Sequence, residues 1–123
     1  MTPSITYSAT VLGAPEAREL GLFYQRLLGW EVVTDTRDWF MLRPPGGGAG
    51  LSFQTEVQHT PPAWPAGSTD QQMQLHLDLR ATDLDAACRH AEECGAKRAE
   101  FQPQENVRVY LDPAGHPFCL FVD

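Results

Sequence analysis

His76 and Asp78 alternate with Leu75, Leu77 and Leu79 in the stretch from Met73 to Arg80. A two-residue alternation places the leucines on one face of a strand and His76, Asp78 and Arg80 on the other. An imidazole titrates near neutrality, so His76 suits a general base; it equally suits a hydrogen-bonded wall position without chemistry. Cys119 stands between Phe118 and Leu120. Its thiol would be a nucleophile if a neighbouring imidazole lowered its pKa, and is otherwise a small inert hydrophobe. Arg108 and Tyr110 share one face of a further strand, opposite Val107, Val109 and Leu111. A guanidinium beside a phenol clamps small acidic or aromatic ligands. The same two residues can instead form a solvated pair closing over Asp78 or Glu100. Gln54, between Phe53 and Thr55, offers an amide.

Other chemistries lack their residues. The glycines Gly46–Gly48 are followed by no lysine-serine or lysine-threonine pair, and no strand-to-helix context surrounds them, so they do not form a phosphate loop. No serine stands in a nucleophile elbow. Three cysteines, Cys88, Cys94 and Cys119, are too few and too scattered for a disulfide framework. His59 and His116 flank turns and are expected to be exposed; His90 falls on the wet side of a helix.

With 16 acidic and 9 basic side chains, the 123-residue chain carries a formal charge of -7. Affinity for phosphate backbones and anionic lipid comes from clustered positive charge, so neither nucleic acid nor membrane is an expected partner. One or two arginines would still hold a small anion. No apolar run is long enough to span a bilayer, and the first residues lack the charged and apolar regions of a leader. A cytoplasmic protein is expected.

The elements that would position these residues form a repeated order. Ile5–Leu12 favours a strand. Ala17, Leu20, Phe23 and Leu27 recur at helical spacing, and Gly29 ends that helix. Strands follow over Trp30–Thr34, Arg37–Arg43 and Leu51–Val57. The last two are separated by Pro44, Pro45 and three glycines. A proline-rich linker then carries Trp64, which covers a pocket, packs across a subunit contact or pins the linker to the core. The second half starts with the strand Met73–Arg80. Thr82 with Asp85 resembles a capping box, and Leu84, Ala87, Ala91 and Cys94 form the helical stripe closed by Gly95. Lys97–Phe101, Val107–Leu111 and His116–Val122 complete it. Gly29 matches Gly95 at an offset of 66 residues, and Gly50 matches Gly115 at 65.

Three stretches carry a family resemblance: Leu22-Phe23-Tyr24-Gln25-Arg26-Leu27-Leu28-Gly29-Trp30, Leu75-His76-Leu77-Asp78-Leu79, and Asp112-Pro113-Ala114-Gly115-His116-Pro117-Phe118-Cys119-Leu120. Together they resemble the glyoxalase, bleomycin-resistance and extradiol-dioxygenase superfamily, also called vicinal oxygen chelate. The small bacterial glyoxalase-like proteins are the nearest in kind. The resemblance spans about Ile5 to Val122. It implies an α+β fold: tandem βαβββ modules forming a curled mixed sheet around a cavity, with the helices outside. On that basis residues 1–123 are one glyoxalase-like domain, with a first module over 5–57, a linker over 58–72 and a second module over 73–122. A homodimer is also implied.

Metalloenzymes of the superfamily place a His, Gln or Glu ligand on the first and last strands of each module. Carried onto this chain, those positions are Thr10 (or Ser8, if the strand register slips) and Gln54, then His76 and Cys119. The metalloenzymes commonly have Glu where Cys119 stands. One imidazole, one amide and one thiol fall short of a full set for a hard ion or for zinc. No metal cofactor is therefore expected; if a divalent metal binds, His76, Gln54 and Glu56 are its ligands. The expected binding residues are Thr10, Gln54, His76, Asp78, Arg108, Tyr110 and Cys119, with His76 and Cys119 as the catalytic candidates. Trp39, Met41 and Phe121 are candidates for an apolar wall. Three functions follow: binding of a small organic ligand in the cavity without a conventional catalytic metal, a metal-dependent lyase, isomerase or dioxygenase, or a dimeric structural or regulatory protein.

Overall fold

Each of the two helices is held by an apolar stripe and closed by a glycine. In the computed structural model, which describes residues 2–123, α1 spans Ala17–Leu28 and buries Ala17, Leu20, Phe23 and Tyr24. Gly29 follows with φ 70°, a left-handed conformation that costs a glycine little, and its N–H donates to the Gln25 carbonyl. The start of α1 is capped from elsewhere. Glu16 makes no side-chain cap, and the Ala17 N–H donates instead to Thr55 Oγ1 at 3.0 Å. The Thr55 hydroxyl in turn donates to Asp38 Oδ1 at 2.9 Å. α2, Leu84–Cys94, supplies its own cap: Asp83 accepts from the Ala86 N–H at 3.1 Å. The cap is thus Asp83, one residue beyond the Thr82 expected from the sequence.

The chain divides into two units, residues 1–58 and 59–123. In the first, β1 (Ala9–Ala14), β2 (Glu31–Asp35), β3 (Trp39–Arg43) and β4 (Gly50–Thr55) form a sheet in the order β1-β4-β3-β2. β1 runs parallel to β4, and the other pairs are antiparallel. Phe40 lies opposite Phe53 and Leu42 opposite Leu51, so all four share the face packed on α1. Tyr24 stacks on Phe53 with ring centroids 5.6 Å apart. The strand expected over Ile5–Leu12 begins only at Ala9, and Ile5 is exposed.

In the second unit, β5 (Leu77–Arg80), β6 (Lys97–Arg98), β7 (Val107–Leu111) and β8 (Pro117–Phe121) repeat the arrangement in the order β5-β8-β7-β6. Phe118, Tyr110 and Leu120 are buried towards α2, and the Tyr110 hydroxyl donates to Glu92 at 2.5 Å. Burial and that hydrogen bond raise the phenol pKa well above its ordinary value. Residues before β5 fold onto the same unit. Trp64 Nε1 donates to the Phe101 carbonyl, and His59 Nε2 contacts the Ala114 carbonyl at 2.7 Å. His59 also packs against the ring of His116, so both imidazoles are half-buried rather than exposed.

The expectation of one curled sheet around a cavity is overturned. The strands form two separate, open four-stranded sheets, each with its helix on one face. The reason lies in the sheet edges. Hydrogen bonding stops at β1 and β2 in one sheet and at β5 and β6 in the other. β6 is only two residues long, and four short strands are too few for a sheet to close on itself. Among the described residues no helix is long and apolar enough to cross a membrane.

These packing arguments fix two outcomes for chemical denaturation. Phe118→Ala removes a fully buried ring from the second sheet and should cost about 3–5 kcal/mol of stability. Asp83→Ala removes only the α2 cap and should cost about 1 kcal/mol.

Candidate functional site

β5 and β8 run side by side in parallel, with Asp78 opposite Cys119 and Arg80 opposite Phe121. β7 lies on the other side of β8, with Val109 opposite Cys119 and Val107 opposite Phe121. Alternation therefore puts Asp78, Cys119, Val109, Arg80, Phe121 and Val107 on the face turned away from α2. The strand is shorter than the sequence suggested: it starts at Leu77, so His76 sits just before it. From there His76 Nε2 reaches Asp78 Oδ1 at 3.1 Å. One ligand atom each from His76, Asp78 and Cys119 lies within 4.8 Å of the others.

The electrostatics of this cluster decide what the thiol can do. Burial disfavours the thiolate, and the adjacent Asp78 carboxylate repels it and accepts its hydrogen bond. Together they push the Cys119 pKa from the ordinary 9.0 up to about 11. The thiol is therefore protonated near neutrality and is a poor nucleophile on its own.

Two hollows meet at this cluster. One, of about 240 Å³, is lined by His76, Asp78, Gln104, Val107, Cys119 and Phe121. The other, of about 140 Å³, shares His76, Gln104, Val107 and Cys119 with it and adds Trp64, Met73, Pro103, Val109 and Pro117. The four shared residues make the hollows adjoin as one groove, with Asp78 in the first part and Trp64, Met73 and Pro117 in the second.

The remaining sequence candidates lie elsewhere. Tyr110 is fully buried on the α2 side of the sheet. Arg108 shares that strand face and donates to the backbone carbonyls of Gln104, Glu105 and Val107. In the first unit, Thr10 pairs with Leu51 on the α1 face and hydrogen-bonds Tyr7. Gln54 falls on the opposite face, where its amide donates to Glu56 at 2.6 Å. Of the apolar-wall candidates Phe121 lines the groove, and Trp64 joins it from the linker. Gln104 was not anticipated: it lies in an irregular stretch where no periodicity marks a side chain's direction. Val107 and Val109, opposite the expected clamp of Arg108 and Tyr110, line the groove in its place. Their signal was present in the strand alternation but attached to the wrong face.

The donor set suits a borderline divalent ion better than a hard one. An imidazole, a carboxylate and a thiol are three ligands of the types zinc takes, and three would leave a fourth position open. His76, Asp78 and Cys119 are the residues that would hold such an ion, and it would supply a Lewis acid there. The thiol would first have to lose the proton that Asp78 and burial hold on it.

Comparison with known proteins places this geometry in context. No curated protein sequence matches the chain. Among solved structures, a glyoxalase/bleomycin resistance protein/dioxygenase family enzyme from Burkholderia phytofirmans PsJN superposes with TM-score 0.70 at 16% identity, covering 94% of this chain and 96% of that one. A possible glyoxalase from Bacillus cereus gives TM-score 0.67 at 11% identity, covering 96% and 99%. TnmS3, an antibiotic binding protein from Streptomyces sp. CB03234, gives TM-score 0.57 at 21% identity, covering 98% of each chain. At these identities the likeness is one of fold. The family model of the glyoxalase-like domain matches residues 9–121, from the first residue of β1 to the last of β8. The chain therefore belongs to the glyoxalase-like domain family, within the glyoxalase/bleomycin-resistance (vicinal oxygen chelate) superfamily.

Proposed function

We propose that this protein binds a small organic molecule in the groove beside His76, Asp78 and Cys119, without needing a metal. The observation that carries this reading is the groove's make-up: a compact polar cluster at one end and an apolar wall of Val107, Val109, Trp64, Met73 and Pro117 at the other. Small-molecule sites are largely apolar with a few convergent polar groups, and the groove has that character. The protonated Cys119 fits a binding contact better than a nucleophile. The antibiotic binding function of TnmS3 shows that this fold can serve binding in another protein.

A second reading, a metal-dependent lyase, isomerase or dioxygenase, is favoured by the three mixed ligands at one point. Protein purified without chelator separates the two. The binding reading expects sub-stoichiometric metal and unchanged ligand affinity after EDTA. Stoichiometric metal that is lost in His76→Ala would favour the enzyme instead.

Ligand binding itself is read by thermal melting against a library of small amphipathic compounds. At about 100 times Kd a ligand adds about 2.7 kcal/mol, enough to raise the melting temperature by several degrees. Those shifts should vanish in Val107→Trp, which fills the groove; shifts that persist in a folded Val107→Trp protein would refute the location. The thiol gives an independent check. Alkylation of Cys119 by iodoacetamide, followed by peptide mass spectrometry, should be slow at pH 7–8 and rise with an apparent pKa near 11. Asp78→Asn removes the repelling charge and should move that pKa down towards 9.0. The sign for stability is the same: a raised thiol pKa favours the fold below about pH 9, and this contribution is lost as the pH rises towards 11.

A further inference from the structure

Resting on the binding reading above, we infer that the ligand is a flat apolar molecule bearing a cationic nitrogen, with its nitrogen at Asp78 and its apolar body against Trp64. Asp78 brings a carboxylate to the groove, and no lysine or arginine is among the residues that line either hollow. Two arginines of this sheet already have partners, Arg80 on the groove face and Arg108 on the other. Arg80 pairs with Asp123 at 3.3 Å and lies over the Phe121 ring, 5.4 Å from its centroid. Arg108 is turned to the backbone carbonyls of Gln104, Glu105 and Val107. An anionic head would thus meet the Asp78 carboxylate with only the His76 imidazole beside it, whereas a cationic one gains a charge-assisted hydrogen bond. The net charge of -7 adds a field that draws cations in and repels anions.

The shape argument comes from the other end. Trp64 is held in place by its Nε1–H to the Phe101 carbonyl at 3.3 Å and by its ring contact with Phe101. A fixed indole wall facing Met73, Val109, Pro103 and Pro117 offers flat apolar surface with no formal charge. An aromatic ring or a cation beside it is stabilised by stacking or by the ring's quadrupole. The polar and apolar ends adjoin through Val107 and Cys119, so one short molecule can touch both.

A matched series tests this: 2-naphthylmethylamine, 2-naphthylmethanol and 2-naphthoate, titrated by calorimetry into the full chain. The amine should bind at least tenfold more tightly than the carboxylate, and its advantage should shrink as salt is added. Asp78→Asn, a substitution at an exposed position that keeps the shape, should abolish the amine's advantage over the carboxylate. Trp64→Ala should weaken all three compounds by a similar factor. Equal affinity across the series, or a preference for 2-naphthoate, would overturn the charge assignment while leaving small-molecule binding standing. No binding by any of the three would overturn both.

Discussion

The register between β5, β8 and β7 is the constraint on which the candidate site depends. Side chains on a strand alternate, so a slip of one residue sends every group to the other face. In the observed register Asp78 faces Cys119 across β5 and β8, and Phe118 and Leu120 go to α2. Slipping β8 by one would bury the thiol and expose two large apolar side chains. The same register is therefore enforced from the apolar side, by Phe118 stacked on Tyr110 and by Tyr110 bonded to Glu92 of α2. The turn into β8 adds to it. Asp112 is buried and its Oδ1 accepts from the backbone N–H groups of Ala114 and His116, which fixes where β8 begins.

The two units repeat the scaffold with different local solutions. α1 borrows its N-terminal partner from Thr55, whereas α2 carries its own in Asp83. Gly50 and Gly115 match in sequence spacing but serve different needs. Gly50 lies in β4, where an added Cβ would sit 2.3 Å from the Leu42 carbonyl oxygen. Gly115 turns the chain before β8 at φ 88°. The polar groups diverge further. Gln54 bonds Glu56 in the first unit, while the matching strand of the second brings Cys119 to Asp78 and His76. The helix-on-sheet packing is common to both units, while the sheet faces turned away from the helices carry different polar groups.

At the cluster itself, one carboxylate governs both partners. Burial, and then Asp78 by charge and hydrogen bonding, keep the proton on Cys119, and the same carboxylate lies 3.1 Å from His76 Nε2. A thiol that is activated for attack needs a neighbouring positive charge or a helix N-terminus. Here the nearest charge has the opposite sign. The Cys119 thiol is thus not set up for nucleophilic attack on its own.

The sequence by itself determined the family, the order of elements and the ends of the helices. Gly29 and Gly95 close α1 and α2, and the leucine alternation in β5 set His76 and Asp78 apart from the apolar core. These features are local: each follows from the periodicity of one segment or the conformational freedom of one residue. Tertiary structure decided which strand face meets the helix. Arg108 and Tyr110 resemble a ligand clamp in isolation, yet Tyr110 is drawn to Glu92 and buried, leaving Val107 and Val109 to line the groove. It also decided that the strands form two open sheets instead of one curled sheet, since pairing at a sheet edge depends on strands distant in sequence. Gln104 and Trp64 joined the groove from irregular segments, where no repeating pattern fixes a side chain's direction. Periodicity states that a strand has two faces; only packing against the rest of the chain assigns each face its neighbours.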